Sequence, residues 1–169
     1  MKFDEPPADV EWNDWGPPVR VVIERGPVML FARAVKDSSA VYASEEAAQA
    51  AGFARVPVPP TYTFVMSSAG ALPDVQPPGG TGSMFSGRGA DAESASAREG
   101  LFLHGEQHFT YHRPVAVGDV LEGRMRTSKP VARQARRGPM EVTYFQTTWT
   151  DLDGIPVVDE GIVSLFFPN

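Results

Sequence analysis

The chain reads as an α+β fold in which an antiparallel β-sheet wraps around a central buried α-helix. Two observations lead there. From Val56 to Leu72 no charged side chain occurs, and the segment that starts at Pro59-Pro60 and continues TYTFVMSSAGAL is apolar on every side. A helix of that kind is normally buried rather than half-exposed, and this one is too short to span a bilayer. The second observation is the order of elements. Helical patterns fill the first half, and the second half offers strand candidates at 101–112, 119–128, 140–151 and 155–167, with turns at Gly118-Asp119 and Asp151-Leu152-Asp153-Gly154. Helices followed by consecutive strands on short turns indicate an antiparallel sheet in an α+β domain.

Composition narrows the function classes. At 169 residues, 42% hydrophobic and 21% charged, the chain has the make-up of one ordinary globular domain. A formal net charge of -6 argues against nucleic acid as the partner, because phosphate neutralisation needs a basic face. The absence of cysteine excludes a disulfide framework and a thiolate metal site. The N-terminus is acidic and proline-rich with no apolar core of a signal peptide, so the expected location is cytoplasmic.

Taken in order, residues 1–18 (MKFDEPPADVEWNDWGPP) show no helical or strand period and read as an arm anchored by Trp12 and Trp15 on a partner subunit or, more simply, docked on its own domain. Residues 19–169 form the single domain. Val19 to Glu24 is a short β-branched run. Gly26-Pro27 opens a helix, where the missing proline N–H does no harm, and Val28, Phe31, Ala32 and Val35 give it one apolar face. After a polar loop at Asp37–Ala43, Ser44 caps a second helix with Glu45 and Glu46 in its first turn, and Gly52 ends it. The apolar helix follows from Pro60. Residues 73–100, rich in Gly, Ser, Pro and Ala, are expected to be a long flexible loop, with Met84 and Phe85 as a small apolar latch.

The ordered combination FARAVKDSSAVYASEEAAQAAGF, VPVPPTYTF and HGEQHFTYHRPVAVGDVLEGR resembles the MaoC-like hydratase/dehydratase superfamily, and more closely its N-terminal, fatty-acid-synthase-like dehydratase half. The resemblance covers roughly residues 19–167. It implies a hot-dog fold, often paired into a double hot dog. It also implies acyl thioesters of coenzyme A or acyl carrier protein (ACP) as substrates, and reversible addition of water to a trans-2-enoyl thioester to give the (R)-3-hydroxy form. No cofactor is implied.

Active members of that superfamily carry a loop of the form G-D-x-N-P-x-H, whose Asp and His activate water and shuttle the proton. At the matching place this chain reads Lys36-Asp37-Ser38-Ser39-Ala40-Val41-Tyr42. Asp37 is kept, but Tyr42 stands where the imidazole belongs, and an ordinary phenol titrates near 10 rather than near neutrality. Active members also place a Gly at the start of the central helix, whose N–H polarises the thioester carbonyl. Here the matching residue is Pro60, which has no N–H, with Thr61 one position later. Two independent defects describe a degenerate half.

All three histidines lie on one predicted strand, and strict alternation would put His104, Glu106, His108, Thr110 and His112 on one face. Such a face could chelate a divalent metal, but more often it is the polar, partly solvated side of an antiparallel sheet. No metal is assigned, and His104 is kept as a candidate acid–base group beside Asp37 and Tyr42. Arg124, Arg126, Lys129, Arg133, Arg136 and Arg137 cluster around an expected hairpin. They suit the phosphates of coenzyme A or an acidic carrier protein, or simply keep a hairpin solvated.

The expected role is therefore the tunnel-shaping hot-dog subunit of an (R)-specific enoyl-thioester hydratase or 3-hydroxyacyl-thioester dehydratase. Pro60, Thr61, Tyr62, Phe64, Val65 and Met66 would line the acyl site and Arg124 and Arg126 its basic rim. A catalytic MaoC-type hot-dog subunit would be the partner, in a homodimer or heteromer that needs neither nucleic acid nor membrane. Two alternatives stand beside it: a homodimer that binds an acyl thioester without chemistry, and an independent hydratase using Asp37 with Tyr42 or a strand histidine.

Overall fold

The computed structural model describes residues 6–69 and 99–169, and side chains in the first stretch through Met66. The loop expected over 73–100, with Met84 and Phe85, lies outside the described residues except for Glu99 and Gly100. Six strands and three α-helices make up the described chain: β1 (Val19–Val22), α1 (Arg25–Ala34), α2 (Glu45–Ala50), α3 (Tyr62–Ala69), β2 (Gly100–Tyr111), β3 (Val120–Thr127), β4 (Val131–Ala135), β5 (Gly138–Thr150) and β6 (Pro156–Pro168). A single 3-10 turn, Ala40–Tyr42, sits between α1 and α2.

The strands form one antiparallel sheet in the order β1-β3-β5-β6-β2, with β4 pairing alongside the start of β5. In β1 the alternation is plain: Val19 and Val21 are buried, while Arg20 is solvent-facing and pairs with Glu122 at 3.6 Å. The sheet closes around α3. Tyr62 and Met66 of α3 pack with Val19 and Val21 at one end of the strand order, and Phe64 meets the His104 ring on β2 at the other, with centroids 5.8 Å apart. Trp149, fully buried in the same core, lies across β3 at Gly123, where a Cβ would sit 2.6 Å from the indole. Only glycine admits that approach.

The helix boundaries have local causes. Ser44 Oγ accepts from the Ala47 N–H at 3.2 Å to start α2, and Gly52, at φ +89°, turns the chain out of it. The apolar helix begins at Tyr62 rather than at Pro60. Pro60 and Thr61 form a tighter turn in which the Tyr62 N–H donates to the Pro59 carbonyl and the Phe64 N–H to that of Thr61.

A second apolar cluster covers the outer face of the sheet. Met140, Val142, Tyr144 and Val163 are sealed there by Val10 and Trp12 of the N-terminal arm. The arm runs beside β3, with the Asn13 N–H on the Thr127 carbonyl and the Gly16 N–H on that of Met125.

A candidate acyl-binding cleft

The loop after α1 is built by a helix-end motif. Lys36 adopts φ 59°, its N–H returns to the Arg33 carbonyl, and the Asp37 N–H returns to that of Ala32 at 2.9 Å. The Asp37 carboxylate then accepts the Ser39 N–H at 3.0 Å, and Arg25 donates to the Ala43 carbonyl, which ties the loop to the start of α1. Tyr42 lies within reach of the same carboxylate. Burial pushes its phenol up, and the charge of Asp37 and a hydrogen bond to it add to that effect.

Tyr42 and Val41 form one wall of a cleft of about 240 Å³. Phe53, Pro57, Val58 and Pro60 form a second wall, and Tyr111, Pro114 and Val115 the third. Backbone pairing fixes these walls: the Val58 N–H donates to the Val115 carbonyl and the Val117 N–H to that of Val56, each at 2.9 Å. Beneath this ladder Asp119 is buried between two guanidinium groups. It accepts from Arg113 at 2.7 Å, from Arg55, and from the Ala116 N–H at 3.1 Å. Burial opposes its ionisation, but these hydrogen bonds outweigh it and hold the carboxyl below its usual range.

Pro60, solvent-exposed, closes the cleft at the foot of α3. Its carbonyl accepts the Tyr111 hydroxyl, which also lies 3.4 Å from Thr63 Oγ1. Burial raises the Tyr111 phenol, the Thr63 hydrogen bond lowers it, and the nearby Glu160 raises it again, leaving it above 10. Glu160 itself is 4% exposed, on the helix-facing side of β6. Gln107 Nε2 donates to it at 2.7 Å. The Trp149 indole N–H is near the carboxylate without completing a hydrogen bond of ordinary geometry. Burial pushes the carboxyl up to about 7, against the opposing pull of Gln107 and Trp149. Neither Tyr111 nor Glu160 stands out as a site residue from sequence. The available signal is an acidic pair, Asp159-Glu160, inside the otherwise apolar end of the chain.

The histidine strand departs from strict alternation. The pairing of β2 with β6 slips between His104 and Glu106, so Gly105 is an inserted bulge residue. Before the bulge Phe102 and His104 share a face with Phe166 and Ser164; after it Gln107, Phe109 and Tyr111 take that face, opposite Ile162, Glu160 and Val158. The expectation of one face for His104, Glu106, His108, Thr110 and His112 is thus corrected. His104 packs toward α3, whereas His108 lies over Gly161 on the outer face and His112 pairs with Asp159 at 2.8 Å. Among the described residues no group of three or more His, Cys, Asp or Glu is placed to hold a metal ion.

The structure therefore brings Asp37, Tyr42 and Pro60 together, with Thr61 beside them, and keeps His104 apart. At roughly 3.3 Å per residue, His104 stands on the order of 20 Å along β2 from Tyr111 and the cleft. Within α3, Tyr62 and Met66 are buried against the sheet, while Phe64 and Val65 are half-buried. Arg124 is exposed. Arg126 is engaged by the arm: its guanidinium lies 4.4 Å from the Trp12 ring centroid and 4.7 Å from that of Trp15, and it donates twice to Gln146 Oε1. The expected arginine hairpin is β4 and β5 joined at Arg136-Arg137.

Among the described residues no helix is long and apolar enough to cross a membrane. The family profile described as FAS1-like, dehydratase domain region, matches residues 14–160. A UPF0336 protein of Parafrankia sp. (strain EAN1pec) is 32% identical over 143 residues, covering 85% of this chain and 82% of its own. Among solved structures, the chain is similar to the C-terminally truncated HadBC (3R-hydroxyacyl-ACP dehydratase) complex from Mycobacterium tuberculosis, with a TM-score of 0.59 and 22% identity over 94% of this chain and 98% of that one. It is also similar to the ChsH1-ChsH2 complex from the same organism, with a TM-score of 0.67 and 17% identity over 91% and 89%. A sheet closed on one buried helix, and a profile match across most of the length, lead to one statement: the chain belongs to the FAS1-like dehydratase-region family and has the hot-dog fold of the MaoC-like dehydratases.

Proposed function

We propose that this chain is the tunnel-shaping hot-dog subunit of an (R)-specific enoyl-thioester hydratase or 3-hydroxyacyl-thioester dehydratase, acting on acyl-CoA or acyl-ACP beside a catalytic MaoC-type partner. Adding water to a trans-2-enoyl thioester needs a base for the water proton and a donor for C2, both exchanging protons near neutral pH. It also needs a hydrogen bond to the carbonyl as enolate charge develops. The observation that carries the reading is the chemistry of the cleft. Its wall holds a phenol, Tyr42, raised above its ordinary 10 by burial and by Asp37, where active members have an imidazole. Its floor is Pro60, which has no N–H to offer. The apolar remainder suits an acyl chain, and a second subunit would supply the acid–base pair.

The long strand β2 fits such a partner. It ends the strand order, pairs only with β6 among the described residues, and leaves Leu101, Phe102 and Leu103 each more than two-fifths exposed. A long edge that exposes apolar side chains calls for cover. That two of the similar structures are complexes of two named chains supports a heteromer.

The test is hydration of short and medium trans-2-enoyl-CoA, followed as loss of the enoyl absorbance, by the purified chain alone and then with a MaoC-type partner that carries the intact Asp and His. Activity only in the mixture is the expected result. Robust turnover by the chain alone would overturn it and point instead to Asp37 with Tyr42 as a complete site.

A further inference from the structure

We infer that the Tyr111 hydroxyl is the hydrogen-bond donor to the ligand's thioester carbonyl, in place of the backbone N–H that Pro60 lacks. The inference rests on the thioester reading above and assigns the carbonyl's partner within it. Of the residues that line the cleft, only Tyr42 and Tyr111 carry a side-chain O–H or N–H. The Tyr42 phenol lies beside the Asp37 carboxylate, whereas the Tyr111 hydroxyl sits at Pro60 itself, where the N–H is missing.

The Tyr111 hydroxyl already holds a carbonyl. Its single proton goes to the Pro60 oxygen, a peptide carbonyl at the foot of α3 and at the edge of the cleft. A ligand carbonyl in the cleft would exchange for it, one acceptor for another, and water can take up the Pro60 carbonyl because Pro60 is exposed. Thr63, fully buried, has its hydroxyl oxygen 3.4 Å from the phenol oxygen and can donate to it, which strengthens the phenol as a donor in turn. The ring is held for the task. It stacks on Phe109 at 6.1 Å, and Phe109 packs against the main core. Because burial keeps the phenol protonated well beyond neutral pH, the donor is present throughout the physiological range.

The experiment uses the full chain, with its MaoC-type partner where binding requires it, and butyryl-CoA carrying 13C at the carbonyl, a saturated thioester that cannot be hydrated. Difference infrared spectroscopy reads the bound carbonyl stretch, and calorimetry the affinity. The expected result is a downshifted stretch in wild type and in Tyr42→Phe, with no downshift in Tyr111→Phe. The affinity of Tyr111→Phe should fall by roughly 2–10-fold, the range for one net hydrogen bond. An undiminished downshift in Tyr111→Phe would overturn the inference while leaving the thioester reading intact. Failure of wild type to bind butyryl-CoA and, in its place, butyryl-ACP in either setting would overturn both. If Tyr111→Phe does not fold, 3-fluorotyrosine placed at position 111 keeps the ring and makes a stronger donor. It should move the stretch further down, and an unmoved stretch overturns the inference.

Discussion

Glu160 makes the stability of this fold depend on pH in a direction opposite to that of most acidic residues. Its carboxyl is 4% exposed, faces the central helix, and titrates at about 7 in the fold against 4.5 in the open chain. Below pH 4.5 both states are protonated and the group costs nothing. As pH rises from there, the unfolded chain ionises first while the folded one must hold its proton, so stability falls until the folded carboxyl also ionises near 7. At about 1.4 kcal/mol per pH unit, the gap amounts to roughly 3 kcal/mol, fully lost by pH 8. Glu160→Gln keeps an oxygen for the Gln107 amide and removes the ionisation. Urea unfolding at pH 8 should therefore show the variant more stable by about 2–3 kcal/mol, or roughly 4–12 °C in Tm for a chain of this size. At pH 4.5 the two proteins should be nearly equal. An identical pH slope in wild type and variant would refute the burial argument, because no other change at this position flattens the curve without altering the low-pH end.

Three further outcomes follow from the same geometry. Gly123→Ala sets a methyl 2.6 Å from the Trp149 ring, in a core where neither strand can yield, and should cost about 1–3 kcal/mol in a thermal melt. Arg126→Ala removes the cation that two indoles and Gln146 share, and should free the arm to limited proteolysis near Trp12 and Trp15 while the rest of the fold resists. Asp37→Asn should change turnover of the assembled enzyme by less than about threefold, against the ~10²–10⁴-fold loss that removal of a working general base produces; a loss in the larger range, with assembly intact, would move the base into this chain.

The parts of the fold legible in the sequence are those set by local chemistry. Ser44 with two glutamates behind it is a helix start wherever it occurs, and the strand candidates 119–128 and 155–167 lie within a few residues of β3 and β6 because their turns, Gly118 and Gly154, both take positive φ. The histidine strand fails for a reason no alternation rule contains. One inserted residue, Gly105, exchanges the faces of everything after it, and a glycine in a strand signals a bulge only in retrospect. The short strand β4 hides because Arg133 and Gln134 interrupt any apolar pattern. At the cleft, the loop residues Asp37 and Tyr42 and the turn residue Pro60 come from contiguous motifs. Tyr111 reaches it from a strand distant in sequence, and Glu160 comes to lie near Tyr111 on the neighbouring strand, through register alone.

That distribution separates the groups that hold the scaffold from the side chains that line the cleft. The cleft is held together by a buried Asp119 between two arginines and by backbone pairing of Val56 and Val58 with Val117 and Val115, bonds that do not depend on which side chains line the space. The groups that face the space can therefore change without unfolding the protein. With a phenol at position 42 and a proline at position 60, the cleft offers neither an imidazole nor a backbone N–H at those two positions, yet its lining is largely apolar with the Tyr111 phenol in one wall. Under the proposed reading such a site keeps what binding needs, an apolar wall and the Tyr111 hydroxyl, and lacks what proton transfer needs. Under the proposed role a second subunit would supply the acid and base, and the outer edge of β2, which among the described residues pairs only with β6, is where such a partner would add.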